Sequence, residues 1–263
     1  MELTNQTEAM QKLQNFADQR KQAILLCGAS GVGKTYLAKE YSKLLDIPDF
    51  NVIEAKVDAV KSAIDSAMIL ENKIVLCIEN LDLGVPAVSY AMLKFLEEPK
   101  SNVFLVITCR NINQIPDTII SRVMMLSIPN LTESDIELYA KTKDSPMIQQ
   151  LQSDKTLWKC IKNFNDLDTL LNLSDKHIGY FKEIIGSISP NNSVSNIVWK
   201  IQKFPDSTAV PIEIAIRYLM YSNPIWQTLC LQALNDLALN RLSAHAVLSK
   251  LVFGLKAVSM FGV

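Results

Sequence analysis

Residues 23–35 read AILLCGASGVGKT: an apolar run, a glycine-rich loop, and then Lys34 and Thr35. The loop matches the pattern G-x-x-x-x-G-K-[ST] at every specified position, with Gly28 and Gly33 as its fixed glycines. A segment with helical spacing, TYLAKEYSKLL, follows, so the loop lies between a predicted strand and a predicted helix. Backbone amides of such a loop and the helix N-terminus bind phosphate. The stretch therefore predicts a nucleotide-phosphate site; the alternative is a glycine-rich turn that happens to precede Lys-Thr.

The side chains at the end of this loop have predicted roles. Lys34 would neutralise charge on the β- and γ-phosphates, and the Thr35 hydroxyl would reach Mg²⁺. A nucleotide polyphosphate with Mg²⁺ is therefore the predicted ligand. The residues expected to bind it in and beside the loop are Gly28, Ser30, Gly31, Gly33, Lys34, Thr35 and Tyr36.

Short apolar runs recur through the first half of the chain. They are AILLC (23–27), NVIE (51–54), KIVLCI (73–78), NVFLVI (102–107) and VMMLSI (123–128). Segments with helical spacing separate them, and continuous apolar strands that alternate with helices are typical of a parallel sheet covered on both faces. The pattern predicts an α/β domain with a five-stranded parallel sheet.

The chain is predicted to be helical after Pro129, where Thr132 and Asp135 form a capping signature. Amphipathic stretches follow at 132–143, 154–173 and 175–188, and the turn-rich SISPNNS at 187–193 suggests a boundary. About four more helices are expected from there to the C-terminus. The predicted domains are 1–130, 131–188 and 189–263.

Composition restricts the possible classes of protein. The chain has 263 residues, 49% of them hydrophobic and 20% charged, and no apolar run approaches the length of a membrane span. Its five scattered cysteines and two histidines give a zinc site almost no ligands, and they fit a reducing compartment. The N-terminus lacks a secretory pattern, so we expect a cytoplasmic protein without a membrane partner. With a formal net charge of −1, any contact with DNA would depend on local placement of Lys and Arg.

Polar residues stand at the ends of two predicted strands. KIVLCIEN (73–80) ends in Glu79-Asn80, and Glu79 is the acid best placed to order water around Mg²⁺. Asp82 could reach the same cleft, or could simply belong to the turn LDLG. Thr108 and Asn111 follow the next strand and are candidate sensors of the γ-phosphate; the alternative is that they satisfy backbone groups at the strand end.

The stretches AMLKFLEEPKSNVFLVIT (91–108) and IPDTIISRV (115–123) carry a family resemblance. They resemble the clamp-loader ATPases of the AAA+ superfamily from bacteria and phages, which include the gamma and delta-prime subunits of DNA polymerase III. The resemblance is strong from 22 to 128 and weak beyond. It implies a P-loop AAA+ domain followed by a small helical lid and an all-helical C-terminal collar.

The same resemblance implies partners and further site residues. These proteins form pentamers of identical or related subunits that load a sliding clamp onto primer-template DNA, with ATP at subunit boundaries. Arg122 of Ser121-Arg122 is then an arginine finger for the neighbouring site, although a Ser-Arg pair could also cap a helix. Lys61 lies at the position of a basic residue that faces DNA in the family, and Lys56 precedes the same predicted helix, so both could contact DNA; the alternative is two solvated lysines.

Several positions depart from the family pattern. The zinc module of bacterial relatives is missing, which is more similar to compact phage loaders, and the position of a lid arginine is occupied by Asp168. One register places Glu79 at the family's magnesium Asp and Asn80 at its catalytic Glu. The other places Ile78 and Glu79 there. In the first register, which we prefer, Asn80 could orient water but could not accept its proton.

Two main functional hypotheses follow from these residues. The first is a clamp-loader ATPase subunit whose catalytic residues are Lys34, Glu79, Asn80 and, in the neighbouring site, Arg122. The second is a non-catalytic structural subunit similar to delta-prime, which the Asn80 and Asp168 departures favour. A third interpretation is a AAA+ helicase loader. The LEEP element, Leu96–Pro99, counts against it.

Overall fold

A computed structural model describes residues 7–143, 145, 147–172, 183, 186, 193, 196, 209–238 and 244–261. The chain divides after Asp135 into two compact units, Met1–Asp135 and Ile136–Val263. The predicted boundary at 188/189 falls outside the described residues, so the predicted three-domain division stays a prediction.

The first unit is built on a sheet of five parallel strands. The strands are β1 (Ala23–Cys27), β2 (Phe50–Glu54), β3 (Ile74–Glu79), β4 (Val103–Cys109) and β5 (Met124–Ser127), in the order β2-β3-β4-β1-β5. The apolar runs therefore form strands as predicted. Every residue of β4 is buried, and so is every residue of β3 except Glu79. Burial on both faces explains why these strands are continuously apolar rather than alternating.

Helices cover both faces of this sheet. They are α1 (Thr7–Asp18), α2 (Lys34–Leu44), α3 (Val57–Ile69), α4 (Pro86–Glu97) and the short α5 (Asp117–Ile120). Two 3₁₀ turns, Leu81–Leu83 and Ile112–Gln114, follow β3 and β4.

The strand residues alternate between two apolar layers. Leu76 of β3 packs in the layer that contains residues of α3 and α4, whereas its neighbour Val75 packs in the layer of α1 and α2. Burying one such side chain stabilises the fold by about 1.5–3 kcal/mol before entropy is counted. By the same alternation, Glu79 at the end of β3 falls on the α2 side. This alternation directs Glu79 towards the loop that precedes α2.

Strand order determines which loops meet. β3, β4 and β1 are neighbours, and all three point the same way, so the loops after them leave the same edge of the sheet. This edge contains the phosphate loop after β1 and the polar residues after β3 and β4. In open parallel sheets, ligands bind at the carboxyl ends of the strands.

The residues described after β5 are helical, as the sequence predicts. The helices are α6 (Glu133–Ala140), α7 (Met147–Ser153), α8 (Lys155–Cys160), α9 (Phe164–Asn172), α10 (Ala209–Ser222), α11 (Gln227–Ala238) and α12 (Ala244–Phe261). A 3₁₀ turn at Pro224–Trp226 precedes α11. The predicted capping pair exists: Asp135 N–H donates to Thr132 Oγ1 and Thr132 N–H to Asp135 Oδ2. Most of 175–188 and of SISPNNS lies outside the described residues.

The amphipathic stretch 154–173 contains two helices rather than one. The Asn163 side chain accepts the Asp166 N–H at 2.9 Å, and Asp166 accepts the Lys162 N–H at 2.8 Å. These two capping hydrogen bonds start a new helix at Phe164. Asp166 is 1% exposed and also pairs with Arg217 of α10 at 2.7 Å, which ties α9 to α10 inside the second unit.

None of the helices in the described part of the chain combines the length and the apolar character that crossing a bilayer requires.

Candidate nucleotide site

The phosphate loop connects β1 to α2 with two glycines in left-handed conformations. Gly31 has φ 73° and Gly33, the N-cap of α2, has φ 93°. Other residues reach such angles only with strain, which explains the glycine at 33, a fixed position of the motif, and the glycine at 31, which the motif leaves open. Ser30 is exposed at the tip of the loop. Tyr36, in the first turn of α2, is 55% exposed.

Lys34 is folded back onto its own loop. Its ammonium donates hydrogen bonds to the carbonyls of Gly28 and Ala29, both at 2.8 Å. Burial lowers the pKa of Lys34 below its usual value, while the nearby Asp82 carboxylate opposes that shift. A buried ammonium with a lowered pKa is stabilised by an incoming anion, which is the electrostatic condition for binding phosphate.

Thr35 and Glu79 meet across the sheet edge. The Thr35 hydroxyl donates a hydrogen bond to Oε1 of Glu79, so the first turn of α2 is joined to the end of β3. Ile78, by contrast, is fully buried in the apolar layer on the opposite face. The contact places Glu79, rather than Ile78, beside Thr35, and the register that assigns Glu79 to the magnesium position stays a prediction. A hydroxyl and a carboxylate side by side are oxygen ligands of the kind Mg²⁺ uses together with nucleotide phosphates and water.

Asn80 follows in a left-handed conformation, with φ 52° and ψ 52°. Its N–H donates to the Thr108 hydroxyl at 2.9 Å, and Thr108 is only 1% exposed. Asn111 is exposed, and its side chain accepts the N–H of Asn113 at the start of a 3₁₀ turn. Both candidate sensors therefore make the local contacts that the alternative interpretation expected, and their role toward phosphate stays a prediction.

Asp82 and Arg110 add a charged pair that sequence reasoning only partly anticipated. The Asp82 side chain is 2% exposed, and its Oδ2 lies 3.7 Å from Nε of Arg110 and accepts the Asn111 N–H at 3.3 Å. Asp82 thus belongs to its turn, and its carboxylate also lies near enough to Lys34 to influence the pKa of that lysine. Arg110 was not singled out from sequence, although its place directly after β4 was a usable signal, since the strand ends meet there.

An open cleft of about 780 Å³ borders the acidic strand end. Glu79 and Asn80 line it on one side, and Glu54 and Lys56 line it on the other. Lys56 pairs with Glu54 and remains 75% exposed. Lys61 is exposed on α3. The lysines predicted to contact DNA are therefore accessible to solvent.

Arg122 and Asp168 make contacts of their own within their respective units. The Arg122 guanidinium donates to Thr118 O at 2.8 Å and to Glu97 at 3.0 Å, which holds it against α5 and α4. In the second unit, Asp168 accepts the Tyr139 hydroxyl at 2.8 Å and pairs with Lys143 at 2.7 Å.

Comparison with known proteins gives a consistent result. Residues 48–132 match the sequence model of the family described as DNA polymerase III, delta subunit. No curated protein sequence matches the chain.

Solved structures with a similar fold include a DNA polymerase III gamma subunit-related protein from Thermotoga maritima. It has a TM-score of 0.55 and 12% identity over 94% of this chain and 98% of its own. The RuvB Holliday junction branch migration motor of Thermotoga maritima has a TM-score of 0.46 and 17% identity over 82% and 87% of the two chains. The match over 48–132, which contains both the acidic strand end and Ser121-Arg122, and the shared fold together support the clamp-loader AAA+ small-subunit family that the sequence predicts.

Proposed function

We propose that this chain is a clamp-loader subunit that binds Mg²⁺-ATP and uses its binding and hydrolysis to load a sliding clamp onto primer-template DNA. The observation that supports it most is the hydrogen bond between Thr35 and Glu79 beside a glycine-rich loop with its helix N-terminus. That arrangement offers anion-binding amides, a buried ammonium and oxygen ligands for a cation at one sheet edge.

Each residue of the site has a defined task in this proposal. Amides of residues 29–33 and the ammonium of Lys34 bind the phosphates, so Lys34 must leave the two carbonyls it now contacts. Thr35 and Glu79 would hold Mg²⁺, which neutralises charge on the phosphate oxygens when it is bound. Water attacks the γ-phosphorus in line, the bond from phosphorus to the β–γ bridging oxygen breaks, and the proton of the water must be accepted by another group.

Arg122 is proposed to act on a neighbouring subunit, in a pentamer of this chain with copies or related subunits. Its pair with Glu97 is solvent-accessible, with side chains 35% and 54% exposed, and exposed ion pairs contribute only about 0–1 kcal/mol. Glu97 therefore holds the guanidinium weakly, and a neighbour's γ-phosphate, which carries more charge, would compete for it.

DNA contacts are assigned to the surface that carries Lys56 and Lys61. Both lysines are exposed in or next to the first turns of α3. Such lysines bind phosphates without sequence preference, and their contribution falls as salt rises.

A second candidate function is a nucleotide-holding structural subunit that does not hydrolyse ATP, and Asn80 favours it. In the register that assigns the magnesium position to Glu79, Asn80 takes the position of the proton acceptor, and an amide cannot take a proton at neutral pH. The comparisons do not choose between the candidates, because one relative is named for a delta subunit and the other for a gamma subunit.

The test is the steady-state ATPase rate of the assembled protein with primed DNA and the sliding clamp of its own replication system. The variants are Lys34→Ala and Arg122→Ala, with Arg20→Ala, at an exposed site before β1, as the control. The ATPase proposal expects turnover that DNA and clamp stimulate and that both test variants abolish. ATP binding with a wild-type rate no higher than that of Lys34→Ala would instead establish the structural subunit, and absence of ATP binding would refute both candidates.

A further inference from the structure

Two cysteines lie side by side at the base of the phosphate loop. Cys27 ends β1, Cys109 ends β4, and the two are register partners on neighbouring parallel strands. Both side chains pack in the apolar layer of α3 and α4, so they project from the same face of the sheet. Neighbouring strands lie about 4.8 Å apart, within the roughly 4.4–6.8 Å that separates the Cα atoms of a disulfide. The backbone therefore places this thiol pair within bridging distance.

The other three cysteines are placed differently. Cys77 of β3 packs in the opposite layer, with residues of α1 and α2, and Cys160 and Cys230 belong to the second unit. All five are free thiols. Cys77 is therefore an internal comparison for the thiol pair, because it is buried in the same sheet but projects from the other face.

The two members of the thiol pair differ in access and in acidity. Cys27 is half-buried, whereas Cys109 is fully buried. Burial is the largest cause that raises the pKa of Cys109 to about 12, the neighbouring Cys27 thiol adds to the shift, and the positive charge of Lys34 opposes it. An oxidant therefore reaches Cys27 first, and Cys109 waits beside it as a thiol. Redox-sensing sites commonly combine an accessible cysteine with a second cysteine that resolves its sulfenic acid.

Oxidation by hydrogen peroxide would proceed in two balanced steps. The Cys27 thiolate attacks one peroxide oxygen, an S–O bond forms as the O–O bond breaks, and the hydroxide that leaves takes up the proton the thiol lost. The Cys109 sulfur then attacks the Cys27 sulfur, the S–S bond forms as the S–O bond breaks, and the leaving hydroxide takes the Cys109 proton. Two thiols and one peroxide thus give one disulfide and two waters, and an external dithiol reverses the bond by exchange.

A disulfide at this position would disturb the start of the phosphate loop. The Gly28 N–H donates to the Cys109 carbonyl at 3.1 Å, and the Gly28 carbonyl accepts from Lys34 at 2.8 Å. The backbone is also tightly packed here, since a Cβ atom on Gly28 would lie 2.9 Å from the Ile128 carbonyl oxygen. Drawing the two sulfurs to a bond of about 2.05 Å would therefore shift Cys27 and the loop amides that follow it.

We infer that Cys27 and Cys109 are a site of reversible oxidation, where hydrogen peroxide forms a disulfide that weakens nucleotide binding at the adjacent loop. The cross-link is inferred from the register and the shared face of β1 and β4, whereas its effect on nucleotide rests on the proposed function. In the reducing compartment that the scattered cysteines fit, disulfides are transient and redox-sensing rather than structural.

The first experiment exposes the full native chain to hydrogen peroxide, blocks the remaining thiols and maps the cysteine peptides by mass spectrometry without reduction. A cross-link between the Cys27 and Cys109 peptides should appear, and dithiothreitol should remove it. Cys77→Ser, at the buried cysteine of the opposite layer, should leave the cross-link in place. Absence of the cross-link in the wild type, or its appearance only after the chain is unfolded, would overturn the inference.

Calorimetric titration with Mg²⁺-ATP tests the consequence. The oxidised wild type should bind ATP about 10- to 100-fold more weakly than the reduced wild type, because displaced loop amides lose a charge-assisted hydrogen bond to phosphate. Reduction should restore the affinity. Cys109→Ser cannot form the bridge, so peroxide should change its affinity less than about threefold. Cys27→Ser, at the half-buried member, gives the same test if Cys109→Ser does not fold.

The remaining outcomes separate this inference from the proposed function. An equal loss of affinity in oxidised Cys109→Ser would trace the effect to Cys27 alone and overturn the role of the disulfide. A cross-linked wild type that binds ATP as tightly as the reduced one would overturn that role and leave the nucleotide site standing. If the reduced wild type binds no ATP, the proposed function fails and the effect on nucleotide fails with it, while the peptide map still decides whether the thiol pair cross-links.

Discussion

Asn80→Glu is the substitution that most directly tests the acidic end of β3. Under the proposed function, Asn80 occupies the place of the proton acceptor and Glu79 occupies the magnesium position through its bond to Thr35. A glutamate at 80 would add a general base, and general-base catalysis contributes about 10²–10⁴-fold in rate. The activation barrier should therefore fall by about 3–5 kcal/mol.

The backbone at this position sets a cost that the experiment has to separate from catalysis. Asn80 has φ 52° and ψ 52°, a conformation that asparagine tolerates better than glutamate does. We expect Asn80→Glu to destabilise the fold by about 1 kcal/mol. Asn80→Gln has the same length and the same backbone cost but no carboxylate, so it is the matched control. The Asn80 N–H bond to Thr108 is made by the backbone and remains in both variants.

The assay is single-turnover hydrolysis of radiolabelled ATP by the full chain with excess Mg²⁺, with and without primed DNA. Both variants should lose similar stability in thermal unfolding, and only Asn80→Glu should hydrolyse faster, by at least about 100-fold over Asn80→Gln. Equal rates for the two variants would show that position 80 does not contact the attacking water. In that case the alternative register, with Glu79 as the base, would have to be adopted.

Three further predictions follow from contacts elsewhere in the chain. Glu97→Gln should release Arg122 and raise the ATPase rate of the assembled protein by up to about fivefold, since an exposed pair contributes at most about 1 kcal/mol; a lower rate would mean that Glu97 orients the finger. Arg217→Met should destabilise the second unit by about 3–5 kcal/mol in urea unfolding, because it leaves the buried Asp166 carboxylate without its cation. The control is Lys250→Met, which removes the more exposed pair with Asp236 and should lower the free energy of unfolding by less than about 1 kcal/mol. Thiol labelling of the native chain at pH 8 should modify half-buried Cys27 first, and fast labelling at the other sites would show that the chain opens. Those sites are Cys77, Cys109 and Cys160, where burial raises the thiol pKa to about 12, and Cys230, where it is raised to about 11.

The strands and the phosphate loop could be predicted from sequence because their signals are local. An apolar run buried on both faces needs no partner to be recognised, and AILLC forms β1 over the predicted residues, Ala23–Cys27. Two glycines at positive φ fix the loop in the same local way. The LEEP and Ser-Arg elements indicated the resemblance to clamp-loader ATPases. That resemblance in turn implied a helical lid and collar after Pro129.

Other features depend on contacts that no local pattern encodes. The helical period of 154–173 continues through 161–163, but two capping bonds break it into two helices: Asn163 accepts the Asp166 N–H, and Asp166 accepts the Lys162 N–H. The left-handed backbone of Asn80 is likewise tied to a hydroxyl on a neighbouring strand. Arg110 gains significance only beside Asp82, which is distant in sequence and close across the sheet edge.

Binding and hydrolysis place different demands on this sheet edge, and its residues meet them unequally. Holding a polyphosphate requires amides, cations and a cation ligand. Thr35 and Glu79 already lie together at this edge, whereas Lys34 must first leave the carbonyls of Gly28 and Ala29. Under the proposed function, hydrolysis requires in addition a proton acceptor at the attacking water, where position 80 would offer only an amide. A subunit with this site would therefore bind ATP firmly and hydrolyse it slowly, so that assembly and release would be governed mainly by nucleotide occupancy. Both candidate functions share that binding step, and the rate ratio of Asn80→Glu to Asn80→Gln measures how far the missing acceptor limits the second.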